Sequence, residues 1–169
     1  MPIIGLISDS HGDAPITRRA AELLARRGAD LLLHLGDVGN EAVIDALLVT
    51  SADSDQPLPV RLVFGNTDWN IDVLTRYAEN LGLEVHHPVG RIDLAGGPLV
   101  FMHGDDSRAF KQAITHGAAY LCYGHTHVAS DRRSGRTRLV NPGALFRTRA
   151  PTVVLLDTER DDLSFLEVE

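Results

Sequence analysis

The chain reads as an α/β protein in which two sheets pack face to face with helices outside. Three observations predict it. Unbroken apolar runs alternate with helical periodicity through the first half, short strand-like runs joined by hairpin turns fill the second half, and five of the apolar runs end in groups able to bind a divalent ion.

Residues 3–7, Ile3-Ile4-Gly5-Leu6-Ile7, are apolar without alternation, as in a strand covered on both faces of a parallel sheet. Residues 14–27 carry Ile16, Ala20, Leu23 and Leu24 at helical spacing, with Gly28 as a stop. A second buried strand over 31–35 ends in Gly36-Asp37, and a shorter helix is expected over 41–49. The polar stretch 51–59 holds two prolines and reads as a surface loop. A third strand over 60–64 runs into Gly65-Asn66-Thr67-Asp68, and a third helix over 72–81 stops at Gly82. Right-handed βαβ units and a largely parallel sheet follow. Beyond Leu83 the runs 84–86, 91–94, 99–102 and 120–123 read as strands, with one helix near 108–115. Gly96-Gly97-Pro98 marks a hairpin, as does Ser134-Gly135 between 128–133 and 137–140, and strands over 153–156 and 163–168 close the chain. These hairpins predict an added antiparallel part.

The 169 residues are 44% hydrophobic and 23% charged, which suits one domain, 1–169, able to bury a core without staples. A formal charge of -7 offers no basic stripe for a nucleic-acid polymer, so none is expected as a partner. The lone Cys122 excludes an internal disulfide and a cysteine-rich zinc site. No run reaches membrane-spanning length and no leader pattern precedes Asp9, so no membrane partner is expected and cytoplasm is the default location. A homo-oligomer stays open. Neither a Walker loop nor a Gly-x-Ser-x-Gly elbow is present, so neither a nucleotide-driven motor nor a serine hydrolase is supported.

Seven candidate ligands stand at the ends of the five runs: Asp9 and His11, Asp37, Asn66, His103, and His125 with His127. At strand spacing, each Asp-x-His or His-x-His pair would point to one face. Each piece alone has a plain explanation as a turn, but chance would scatter such groups along strands rather than gather them at one end. Two divalent ions roughly 3.5–4 Å apart can hold the attacking and leaving oxygens of a displacement at phosphorus. Imidazole, carboxylate and amide donors without thiolate accept manganese, iron, cobalt, nickel or zinc. Two such ions with Asp9 and Asp37 leave positive charge over, which suits an anionic substrate.

In this order, Asp9-x-His11, Gly36-Asp37, Gly65-Asn66, His103-Gly104 and Gly124-His125-x-His127 resemble the calcineurin-like metallophosphoesterase superfamily, most of all its small bacterial and archaeal phosphodiesterases. The resemblance runs from the first strand to Asn141-Pro142-Gly143-Ala144. It implies a four-layer α/β/β/α sandwich with two mixed β-sheets and a metal-dependent phosphodiesterase of small phosphorylated substrates. One metal would be held by Asp9, His11, Asp37 and His127, the second by Asp37, Asn66, His103 and His125, with Asp37 bridging and a bridging hydroxide as nucleophile. Asp37, Asn66 and His103 would also act in catalysis by positioning metal and phosphate. Manganese is the first expectation for both ions, with nickel, zinc, iron, cobalt and magnesium as alternatives.

Two positions depart from relatives. Thr67 stands where phosphoprotein monoesterases have a histidine that looks like their general acid, and Asp105 stands where many relatives have another histidine. The leaving-group acid is therefore unassigned. The alternatives are a phosphomonoesterase or nucleotide pyrophosphohydrolase, and a non-catalytic protein-binding scaffold like the related retromer subunit. Specificity is expected from the loops 56–59, 68–71 and 105–108. His34 reads as a packed residue with a possible role behind Asp37, His86 and His87 as exposed, Asp13, Asp68 and Asp106 as binders of turn amides or helix caps, and Asn141-Pro142-Gly143 as a structural turn.

Overall fold

The computed structural model describes residues 2–169. One sheet holds β1 (Ile3–Ile7), β2 (Leu31–Leu35), β3 (Val60–Val63), β4 (Glu84–Val85), β10 (Thr152–Asp157) and β11 (Asp162–Glu167), in the order β11-β10-β1-β2-β3-β4. Strands β1 to β4 pair in parallel, and β10 and β11 add antiparallel on the β1 side. The other sheet holds β5 (Val89–Ile92), β6 (Leu99–Met102), β7 (Tyr120–Cys122), β8 (Ser130–Ser134) and β9 (Thr137–Asn141), ordered β5-β6-β7-β9-β8. Its centre, β6-β7-β9, is parallel, and only the edge strands β5 and β8 run antiparallel. The hairpin signals in the second half therefore mark edges: the expected antiparallel part is present as β5, β8, β10 and β11, around a parallel centre in which a crossover helix joins β6 to β7.

Strand alternation sorts the core into three layers. Ile4, Leu6, Leu31, Leu33, Leu35, Leu99, Phe101 and Val140 pack between the sheets. Ile7, Leu32, Leu62 and Phe64 turn outward against α1 (Ala14–Arg26), α2 (Glu41–Ala46) and α3 (Ile71–Asn80). Val100, Met102 and Leu121 turn outward under α4 (Ser107–Thr115), against Phe110, Ala113 and Ile114. The result is the α/β/β/α sandwich with two mixed sheets. Asp13, Asn40 and Asp106 cap α1, α2 and α4 with their side chains. No described helix is long and apolar enough to cross a membrane.

Several boundaries differ from the sequence expectation; β8, for one, begins at Ser130 rather than at Val128. Helix α2 stops at Ala46 instead of running to Val49, because the chain turns back: Leu58 N–H donates to Val49 O, and Thr50 bridges Pro57. Strand β5 begins two residues early, in register Val89 with Met102 and Ile92 with Leu99. The segment 56–59 also leads into the amino end of β3, at the sheet edge away from Asn66, so it cannot shape the site expected there.

Candidate metal centre

All seven predicted ligands follow the carboxyl ends of strands: Asp9 and His11 after β1, Asp37 after β2, Asn66 after β3, His103 after β6, His125 and His127 after β7. Strand spacing does not bring the pairs together, however, since β1 stops at Ile7 and β7 at Cys122. Instead Asp9, His11, Asp37, His125 and His127 all adopt left-handed backbone, with φ between 44° and 66°. That conformation is costly for side-chain-bearing residues and persists where surrounding contacts enforce it.

The enforcing contacts sew the loops to one another. Asp9 and His11 donate their backbone N–H groups to Gly36 O and Asp37 O at 3.1 and 2.8 Å, and Gly12 N–H donates to Val38 O. The buried Asp68 carboxylate accepts from three amides, Val38 and Gly65 on one oxygen and Gly39 on the other, joining the Asp37 loop to the Asn66 loop. Asn141 Nδ2 donates to Gly124 O and Thr126 Oγ1, bracing the His125–His127 turn. Close approach explains the glycines before two ligands. A Cβ on Gly65 would collide with Asp37 Oδ1 and lie 2.6 Å from its amide nitrogen, and one on Gly124 would collide with Ser8 Oγ.

The side chains then converge. Asp9, His11, Asp37 and His127 each place one ligand atom within 4.8 Å of the others. Asp9 is fully buried; its Oδ2 accepts from Ser8 Oγ at 2.6 Å and His125 N at 3.1 Å, while Oδ1 has no hydrogen-bond partner and faces His127 Nε2 at 3.1 Å. A buried carboxylate oxygen left bare in this way is where a cation belongs. Asp37 Oδ1 accepts from Thr67 N at 3.0 Å, and its Oδ2 sits 3.4 Å from His11 Nε2 and 3.3 Å from His103 Nε2. On the His103 side, Asn66 Oδ1 lies 3.0 Å from His103 Nε2 and 3.1 Å from His125 Nδ1. His103 Nδ1 meets Leu35 O at 2.9 Å, so that nitrogen carries the proton and Nε2 presents its lone pair to the cluster. The donor set, nitrogen and oxygen without sulfur, fits a divalent cation.

Electrostatics agree. Burial by itself would raise the Asp37 carboxyl, but His103 and the Thr67 amide outweigh it and hold the group well below the usual carboxylate range. Burial by itself would depress His103, yet Asp37 and the Leu35 carbonyl outweigh it and raise its affinity for a proton. Positive charge is favoured at this spot. His34 behaves oppositely: wholly buried, it is pushed down to about 3, first by desolvation and then by His103. Gly36 N–H approaches its Nδ1 at 3.3 Å and Nε2 meets Ser10 Oγ at 2.8 Å, which in turn accepts from Thr17 Oγ1. A neutral imidazole thus ties β2 to the turn between Asp9 and His11, packed as expected.

Asp13 and Asp106 cap helices, and Asn141-Pro142-Gly143 is a structural turn, closed by Gly143 N–H donating to Asn141 Oδ1. His87 is exposed as expected, while His86 is half-buried, its ring 5.6 Å from Phe101 and its Nε2 3.1 Å from Glu84. Asp105 is exposed beside a cavity of about 250 Å³ lined by Phe64, His87, Val89, Met102 and Ala109 among others. Sequence reasoning missed Ser8, which fixes Asp9, and Phe146, whose N–H donates to Asp9 O and whose ring stands 5.3 Å from that of His11. Ser8 is adjacent to a ligand and visible on that ground; Phe146 carries no sequence signal.

A nitrogen–oxygen metal-binding cluster at the strand ends of a two-sheet sandwich defines a class of hydrolytic metal proteins. The chain belongs to the calcineurin-like phosphoesterase superfamily, whose domain description matches residues 3–161. It is 24% identical over 170 residues to phosphodiesterase MJ0936 of Methanocaldococcus jannaschii, covering 98% of this chain and 99% of that one. To phosphodiesterase YfcE of Escherichia coli it is 30% identical over 145 residues, covering 82% and 76%. Among solved structures, a novel archaeal phosphodiesterase superposes with a TM-score of 0.84 at 23% identity, covering 98% and 99% of the two chains. Vps29 of Entamoeba histolytica, solved with zinc, shares the fold at a TM-score of 0.62 and 16% identity, covering 99% of each chain.

Proposed function

We propose that this chain, as a single domain, is a two-metal phosphodiesterase of a small phosphorylated compound. Asp9, His11, Asp37 and His127 would hold one divalent cation, and Asp37, Asn66, His103 and His125 the other, manganese being the first candidate for both. The observation that carries this reading is the position of Asp37 Oδ2, 3.4 Å from His11 Nε2 and 3.3 Å from His103 Nε2 while Oδ1 is held by Thr67. A carboxylate oxygen so placed is available to both halves of the cluster at once.

When bound, the cations would supply Lewis acidity toward a phosphoryl oxygen and a nucleophilic water at neutral pH. The chain's own residues orient. Ser8 and the His125 amide set the Asp9 carboxylate, Leu35 O fixes the His103 tautomer, and the Asp68 clamp holds Asp37 and Asn66 in register. Asn66, His125 and His127 stand exposed at the mouth, where a phosphate would enter. Thr67 uses its backbone N–H on Asp37 and has no imidazole to offer a leaving group, which supports a diester or an activated ester over a phosphoprotein monoester. The complete ligand set supports catalysis over a purely protein-binding role. A cytoplasmic location accords with this substrate class.

The test is hydrolysis of bis(p-nitrophenyl) phosphate beside p-nitrophenyl phosphate, with metal-stripped protein resupplied with manganese, nickel, zinc or magnesium. Metal-dependent turnover favouring the diester is expected. Folded protein with no turnover under any metal would refute the reading in favour of a scaffold.

A further inference from the structure

Phe146 and Arg147 extend the metal cluster outward on its His11 side. The Phe146 ring lies 5.3 Å from the His11 ring, tilted by 36°, and its N–H is tied to Asp9 O at 3.2 Å. The Arg147 guanidinium carbon lies 4.9 Å from the Phe146 ring centre, a cation–π seat. Arg147 is also one of the non-glycine residues with left-handed backbone, at φ 50°, a feature otherwise concentrated on the ligands themselves. It is exposed, and no described carboxylate pairs with it although acidic residues outnumber basic ones by 23 to 16. A strained backbone, an aromatic seat and an unpaired cation at the mouth of an anion-binding site form one device.

We infer that Arg147, seated on Phe146, binds a second phosphate of the substrate, the one adjoining the phosphoryl group at the metal cluster, so that the preferred ligands are organic diphosphates of nucleoside-diphosphate type. This rests on the phosphoesterase reading above. The Phe146 ring contacts both the guanidinium and the His11 ring, which brings the charge alongside the cluster. Arg147 therefore adds positive charge beside the reacting phosphorus rather than on it. A guanidinium presents paired N–H donors in the plane that phosphate oxygens accept, and a preorganised seat reduces the side-chain entropy lost on contact. Arg149, two residues on and equally exposed, has neither an aromatic seat nor left-handed backbone and serves as the internal control.

The experiment compares AMP with ADP, which differ by one phosphate. Their affinities for manganese-loaded protein are measured by calorimetry, with metal content checked after each titration, and their inhibition constants against bis(p-nitrophenyl) phosphate are measured in parallel. Wild type is expected to bind ADP more tightly than AMP. Arg147→Ala is expected to weaken ADP about tenfold while leaving AMP within about twofold, with Arg147→Lys recovering part of the loss and Arg149→Ala behaving as wild type. Equal weakening of both ligands, or none, overturns the inference. Because calorimetry needs no turnover, an inactive wild type would refute the phosphodiesterase reading alone, and an active enzyme indifferent to Arg147 would refute this one alone.

Discussion

Six of the seven candidate ligands divide into a floor and a rim that are held by different means, with His11, half-buried, between them. Asp9, Asp37 and His103 form the floor, each at most 2% exposed, and in each one side-chain atom is fixed by the scaffold while the other faces the cluster: Ser8 and the His125 amide on Asp9, the Thr67 amide on Asp37, Leu35 O on His103. Asn66, His125 and His127 form the rim; they are exposed, and the contacts of their side chains are with other ligands. The floor is organised by the fold. The rim side chains lean on one another and on the floor. A preformed floor restricts where a cation sits, and an open rim leaves room for a phosphate to reach it.

Breaking the floor at its shared oxygen should have the largest effect. Asp37→Asn is expected to abolish metal-dependent hydrolysis with the fold retained, as judged by circular dichroism, whereas the rim variant His127→Ala should lose one ion's affinity and most of the activity. Next comes the clamp beneath the floor. Asp68→Ala strands three backbone amides, two of them in the Asp37 loop, and should cost about 2–4 kcal/mol in denaturant unfolding together with weakened metal binding. Ser8→Ala leaves the ligands in place but frees Asp9 Oδ2 of one donor, and should lower metal affinity by about 10-fold in a chelator competition.

A pH prediction separates floor support from metal binding. His34 is pushed down to about 3 from an ordinary value of 6.5, so between those values the unfolded chain takes up a proton that the native chain refuses. Its contribution is therefore intact above pH 6.5 and is lost as pH falls, at roughly 1.4 kcal/mol per unit in metal-free protein. His34→Gln should flatten that acid slope between pH 7 and 5, read as denaturant midpoints. The smallest effect is expected at Trp69, which is 87% exposed just beyond the Asp68 clamp; Trp69→Ala should change unfolding stability by less than about 0.5 kcal/mol.

The residues that gather at the site were legible because each of the five apolar runs stops at one, and a strand that stops at a polar donor exposes it at the sheet edge. The layer order was legible for the same reason, from uninterrupted apolar strands covered on both faces. The means of convergence was not. Asp-x-His and His-x-His spacing fits a strand, yet the pairs meet through left-handed loops, and the contacts enforcing those loops, Gly36 O to Asp9 and Asp68 to Val38 and Gly39, join residues 27 to 30 positions apart. Local pattern carries no record of such pairings. Phe146 and Arg147 were illegible likewise, since nothing around them announces a neighbour more than a hundred residues earlier. The loop 56–59 was misplaced because its polarity said loop, and only the parallel register of β2 with β3 says which edge it serves.

The most direct test of a carboxylate shared between two metal sites is the number of manganese ions bound per chain, by calorimetric titration and elemental analysis, in wild type, His103→Gln and Asp37→Asn. The account predicts two ions in wild type, one when His103 alone is lost, and neither held tightly when Asp37 is lost. A single ion in wild type that survives Asp37→Asn with hydrolysis intact would contradict it.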